Sequence, residues 1–124
     1  GFLRPDAYAA WARTFVEFVG AYHERGLPVW GLTVQNEPYT QTGLWPANFF
    51  TSADQIEFVT HHLAPALRKL RPAVRILAYD DQVTQLTTVA QNITASLGDA
   101  TDGIAFRESS GVPTMPAFAV PIPT

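Results

Sequence analysis

The side chains best suited to chemistry stand where apolar runs stop. Trp30 to Pro38 reads Trp-Gly-Leu-Thr-Val-Gln-Asn-Glu-Pro, an apolar run that ends in an amide, a carboxylate and a proline. A strand buried on both faces reads as such a near-continuous run, and in a parallel α/β sheet ligands collect beyond the carboxyl ends of the strands. Asn36 and Glu37 would project there, which makes Glu37 the candidate catalytic group, a carboxyl whose use would be in proton transfer. The plainer alternative is a loop carboxylate serving in a salt bridge or a cap. Pro38 cannot donate the next ladder bond and should push Glu37 toward extended backbone, setting the direction in which the carboxylate leaves the strand. The pattern repeats at Val74 to Tyr79, a second apolar run that ends in Asp80, Asp81 and Gln82.

Other reactive residue types give less. His23, His61 and His62 lack the i,i+4 pairing of a zinc helix and have no clustered thiolates or carboxylates, so no metal site and no cofactor is expected. Ser109-Ser110-Gly111 follows no Gly-x-Ser-x-Gly pattern and is not a nucleophile elbow. The chain has no cysteine, which removes disulfides and thiolate sites and leaves the redox compartment open.

The elements that must position these residues follow from periodicity. Pro5 to Arg25 carries Tyr8, Trp11, Phe15, Phe18, Val19 and Tyr22 at the spacing of a helix stripe, with Pro5 near its start and Gly26 as its stop. Trp11 should be packing. A strand over Leu27 to Gln35 comes next, then a loop from Tyr39 to Phe50. Thr51 with Asp54 resembles a shorter capping box, opening a helix that holds Ile56, Phe58, Val59, Leu63, Leu67 and Leu70 and that Pro65 should kink. After the strand at 74–79, Leu86, Val89, Ile93 and Leu97 mark a helix stopped by Gly98, and Ile104 to Phe106 begin a third strand. Strands alternating with helices argue for a parallel sheet, either open and doubly wound or closed into a barrel. A full barrel takes about 250 residues, so in a barrel the 124 residues would hold only the middle part.

Composition narrows the partners. Eight basic against 11 acidic side chains give a net charge of −3, with no basic stripe, so no nucleic-acid partner is expected. No apolar run approaches the roughly 20 residues of a membrane span.

The stretch at 30–38 resembles the acid/base strand of glycoside hydrolase family 30, particularly its glucosylceramidase branch. The likeness continues in order through Gly-Phe-Leu-Arg-Pro at 1–5, Tyr-Ala-Ala-Trp-Ala at 8–12 with Phe15, Phe18 and Tyr22, and Phe50-Thr51 with Gln55 and Phe58. Leu63-Ala-Pro-Ala-Leu67, Asp80-Asp81-Gln82 and Gly103-Ile-Ala-Phe106 complete it. The resemblance implies a (β/α)₈ TIM barrel, with residues 1–106 spanning about the third helix to the sixth strand, and retaining hydrolysis of a β-glucoside such as a glycosphingolipid; the alternatives are a truncated non-catalytic product and a family relative acting on β-1,6-glucan. Glu37 then matches the general acid/base, and Asn36 the residue that holds the sugar 2-hydroxyl. The nucleophile of that family is a glutamate on the seventh strand, beyond the resemblance. A lipid substrate would bring peripheral membrane contact, and the route would be secreted or lysosomal. The Asn92-Ile93-Thr94 triplet, which permits N-glycosylation, agrees with such a route.

Against that family, Asp80 and Asp81 read as sugar-hydroxyl ligands or as groups positioning the acid, with helix capping or solvated loop charge as the alternative. Trp30 and Trp45 could stack on a sugar ring; Trp30, beginning a buried strand, is rather expected in the core, leaving Trp45 in its loop. The departure comes after Phe106, where the family continues His-Trp-Tyr and this chain reads Arg107-Glu108-Ser109. Residues 107–124 form a divergent tail with Pro113, Pro116, Pro121 and Pro123, expected to be extended or disordered, and Glu108 within it stands on the wrong strand to be the nucleophile.

Overall fold

The computed structural model describes residues 1–40, 46–83 and 86–107. Pro5 opens a single 3₁₀ turn, Pro5–Ala7, where its missing N–H costs nothing, and helix α1 (Tyr8–Glu24) continues from it. Gly26 stops α1 as expected. It takes φ +74, the left-handed conformation a glycine adopts freely, so that its N–H reaches the carbonyl of His23 at 2.9 Å and that of Leu27 reaches Tyr22 at 3.0 Å, the paired bonds of a Schellman motif.

Three parallel strands follow in the order β1 (Gly31–Thr33), β2 (Arg75–Gln82), β3 (Gly103–Arg107). The expected strand at Leu27 to Gln35 contracts to three half-buried residues, because β1 has a strand on one side only among the described residues. Hydrogen bonds from the N–H of Arg75 to the carbonyl of Trp30 and from Val34 to Leu77 flank it. At Gly31 the strands come so close that a Cβ would stand 3.2 Å from that of Arg75. Trp30 is not core: its side chain is exposed at the edge, with the Arg75 guanidinium 5.5 Å from the ring centre.

The connection from β1 to β2 is built from α2 (Ser52–Phe58) and α3 (Ala64–Leu67), joined by a π-helical turn over Val59–Leu63. Thr51 and Asp54 form the expected capping box, each side chain accepting from the other's backbone N–H at 3.1 Å. Pro65 does not simply kink this segment. A proline lacks the N–H that would reach back four residues and its ring crowds that carbonyl, and the wider π turn, with the N–H of Ala64 bonded to the carbonyl of Val59, accommodates both defects. Helix α4 (Leu86–Leu97) connects β2 to β3 and stops at Gly98, φ +43.

The core lies between the helices and the sheet. Tyr8, Ala12 and Val19 of α1 meet Phe58, Val59, Leu63 and Leu67, with Ile76 and Ala78 of β2 and Ile93 and Leu97 of α4. Leu77 and Tyr79, on the opposite face of β2 by its two-residue period, are buried as well, so the central strand has the two-sided burial expected of the edge strand. The stripe expected along α1 is split. Tyr8 and Val19 face the core, whereas Trp11, Phe18 and Tyr22 are exposed; Trp11 packs edge-on against Phe15, and these two with Thr14, Phe18 and Leu32 line an apolar groove of about 240 Å³ beside the edge of β1. Among the described residues no helix is long and apolar enough to cross a membrane.

Candidate active site

The carboxyl ends of the three strands bring Asn36, Glu37, Asp80, Asp81 and Arg107 together. The backbone sets this up at two places. Ladder pairing carries on past β1, so that the N–H of Glu37 donates to the carbonyl of Asp80 at 3.0 Å, and the chain then turns at once, with the N–H of Thr40 bonded to the carbonyl of Glu37 at 3.0 Å. Meeting both bonds puts Glu37 at φ +46, left-handed and not extended; the preference that Pro38 imposes on its predecessor loses to two tertiary constraints. On β2 the register against β3 slips between Tyr79 and Asp81, a bulge in which Tyr79 and Asp80 hold φ +77 and +61. The bulge changes the direction of successive side chains, so Asp80 and Asp81 serve different neighbours.

Asp80 ties the three strand ends. Its Oδ2 accepts from the Thr33 hydroxyl of β1 at 2.7 Å, and its Oδ1 from Arg107 Nη2 of β3 at 2.7 Å. The same Nη2 donates to Asn36 Oδ1 at 2.6 Å, and Arg107 Nη1 stands 3.7 Å from Glu37 Oε1. The hydrogen bond to Asp80 holds the guanidinium above its ordinary range despite partial burial, and the charges of Asp80, Glu37 and Asp81 act in the same direction. Asp81 is spent on backbone: Oδ2 accepts from the N–H of Tyr39 at 3.0 Å and Oδ1 from that of Gln82 at 2.7 Å, fastening the turn that carries Glu37 to the end of β2. Both aspartates are buried, so neither is a solvated loop charge.

Around them sits an aromatic shelf. The Tyr79 hydroxyl donates to the carbonyl of Gln82 at 2.6 Å, and Tyr39 shares a 2.6 Å hydrogen bond with Ser52. Burial, with the charge of Asp81 adding to it, pushes Tyr79 up to about 12, and burial likewise raises Tyr39 against the effect of its bond to Ser52. Both phenols are neutral donors in the ordinary pH range and hold geometry. Below the shelf, the wholly buried Gln55 accepts from the N–H of Tyr79 at 3.4 Å and donates to the carbonyl of Phe50 at 3.0 Å, connecting the start of α2 to the bulge.

Of the residues singled out in the sequence, Asn36, Glu37, Asp80 and Asp81 converge, while Trp45 and Glu108 lie outside the described residues. Arg107 and Thr33 were missed. Arg107 opens the divergent tail in sequence, yet its place directly after an apolar run marks it by the same rule as Glu37 and Asp80. Among the described residues no three His, Cys, Asp or Glu side chains group so as to hold a metal ion.

A sheet of parallel strands with polar side chains gathered at its carboxyl edge is common to many enzymes; the sequence on it is specific. The model of the glycosyl hydrolase family 30 TIM-barrel domain matches residues 4–110. The chain belongs to glycosyl hydrolase family 30. It is similar to the lysosomal acid glucosylceramidase of Mus musculus, 36% identical over 80 residues, which are 60% of this chain and 15% of that protein. It is similar also to an endo-1,6-beta-D-glucanase of Trichoderma harzianum, 31% identical over 77 residues, 62% of this chain and 16% of that one. The solved structure of an endo-beta1,6-glucanase superposes with a TM-score of 0.78 at 24% identity, over 90% of this chain and 26% of the other. The fold is therefore a part of a TIM barrel, and the chain spans under a fifth of the length of these two sequence relatives.

Proposed function

We infer that this chain is the acid/base-bearing part of a retaining, glucosylceramidase-like β-glycosidase that hydrolyses the β-glucosidic bond of glucosylceramide or a related β-glycoside. Residues 1–106 form its partial catalytic domain and 107–124 carry its divergent tail sequence, whose first residue, Arg107, still ends β3. The observation that carries this reading is the meeting, in a member of family 30, of Glu37 and Asn36 with Asp80 at the carboxyl edge of the sheet, the two strand ends joined by the bond from the Glu37 N–H to the Asp80 carbonyl. In retaining hydrolysis Glu37 gives its proton to the departing glycosidic oxygen, then takes one from the water that releases the glycosyl-enzyme. Asn36 accepts from the sugar 2-hydroxyl, a bond that strengthens as the ring gains oxocarbenium character. Asp80 fixes the edge on which both stand, Asp81 the turn that aims Glu37, and Trp45 stacks on the sugar.

Two carboxylates are needed, about 5 to 5.5 Å apart, one as nucleophile. The nucleophile belongs to a strand outside the matched segment, so the 124-residue chain alone should not turn over an aryl β-glucoside. In the complete enzyme Glu37→Gln should slow substrates with poor leaving groups by roughly 10²–10⁴, and well-activated ones much less at the glycosylation step. An equal loss with both would take Glu37 out of the acid role. Similarity to an endo-1,6-beta-D-glucanase at nearly the same identity favours a second reading, action on a β-1,6-glucan. Relative rates on the two substrates decide between them.

A further inference from the structure

We propose that Arg107 is a built-in occupant of the sugar site, its guanidinium holding the acceptors that a bound glycoside would engage, so that the site is closed to sugar while Arg107 stays in place. This rests on the reading of Asn36 and Glu37 given above.

Hydroxyls of a sugar bind by donating to carboxylates and amide oxygens, and Asn36 Oδ1, Glu37 and Asp80 are such acceptors among the described residues of this edge. One nitrogen of Arg107 takes two of them, at 2.6 and 2.7 Å, and the other stands 3.7 Å from the third. Thr33 donates to the other oxygen of Asp80, Oδ2, so each oxygen of that carboxylate already has a protein donor. Asp81 is engaged elsewhere, each of its oxygens accepting from a backbone N–H. The guanidinium sets a full positive charge against two carboxylates, whereas a sugar hydroxyl brings no charge, so a sugar offers less than it displaces. The side chain is only about one-third exposed, 35%, and the planar fork suits two acceptors lying side by side. Arg107 cannot shed its charge at any working pH, so no proton transfer releases it.

The test uses the full chain, uniformly ¹⁵N-labelled, with methyl β-D-glucopyranoside as a neutral probe, followed at the Asn36 side-chain amide and the Glu37 backbone N–H. Arg107→Met keeps the length of the stem and removes every donor; Arg107→Gln stands in if the methionine variant fails to fold. The expected result is at least tenfold tighter, saturable binding to the variant than to the unaltered chain, seen at both signals. Equal affinities would overturn the plug and leave the sugar-site reading standing. Weaker binding to the variant would make Arg107 a sugar ligand, against the proposal. No saturable shift in either chain would overturn the proposal together with the reading on which it rests.

Discussion

Gln55 is the side chain whose loss should be felt furthest from where it sits. It is fully buried, with its amide nitrogen on the Phe50 carbonyl at 3.0 Å and its amide oxygen on the Tyr79 N–H at 3.4 Å. Gln55→Leu keeps most of the volume and strips both partners, leaving one buried backbone acceptor and one buried donor. Each such orphan costs about 1–3 kcal/mol, the longer bond falling at the lower end, for roughly 3–4 kcal/mol together. The added apolar surface of leucine returns about 1 kcal/mol, which leaves a net loss of about 2–3 kcal/mol. In a urea titration followed by circular dichroism, with a slope of about 1–3 kcal/mol per molar, the midpoint should fall by roughly 0.7–3 M. The amide signals of Tyr79, Asp80 and Asp81 should move further than those of α1, because the lost acceptor anchors the bulge. A loss below about 0.5 kcal/mol would refute the reasoning, since it would mean that neither backbone group depends on Gln55.

Alkaline pH should destabilise the fold through its buried phenols. Tyr8 and Tyr79 are both pushed up to about 12, chiefly by burial, with Asp54 and Asp81 respectively adding to it. The unfolded chain ionises near pH 10, so across about pH 10 to 12 the folded state holds more protons and stability falls as pH rises, the contribution being whole below pH 10. A urea midpoint that stays flat through that window would remove burial as the cause. Thr51→Ala should cost about 1 kcal/mol by opening the capping box, and Thr51→Ser should restore most of it, read as thermal midpoints. Identical midpoints for all three chains would show that α2 is held without its cap.

Local chemistry was legible wherever a single residue decides a single bond. Pro5 and Gly26 bound α1, Thr51 and Asp54 cap α2, and Gly98 ends α4, because each acts on backbone within a few positions. The alternation of helices with apolar runs was likewise enough for a parallel sheet, and the polar residues after two of those runs did gather at one edge. What stayed hidden depends on neighbours far along the chain. Glu37 leaves the extended region because of a bond to Asp80, and no rule about Pro38 contains that partner. No glycine announces the bulge at Tyr79 and Asp80. Trp30 at the start of an apolar run and Trp11 in a helix stripe read as packing, yet they flank a strand edge that is open among the described residues. Arg107 was obscured by the divergence that follows it.

Among the described residues, the non-glycine positions with positive φ are Glu37, Tyr79 and Asp80, and all three belong to the candidate site. Each such conformation costs on the order of 1–3 kcal/mol and persists only where its surroundings over-determine it. Here they do, from several sides. Glu37 and Asp80 share a backbone bond, Thr33 and Arg107 fix the Asp80 carboxylate, and Gln55 and the Gln82 carbonyl hold the two ends of Tyr79. Strain distributed over residues that hold one another is released together, so loss of any one of these partners should relax the carboxyl edge of the sheet before it loosens the helices. Amide exchange in Gln55→Leu provides the check: faster exchange confined to the end of β2 and the turn after β1 supports this coupling, and uniform acceleration across α1 and α4 would refute it.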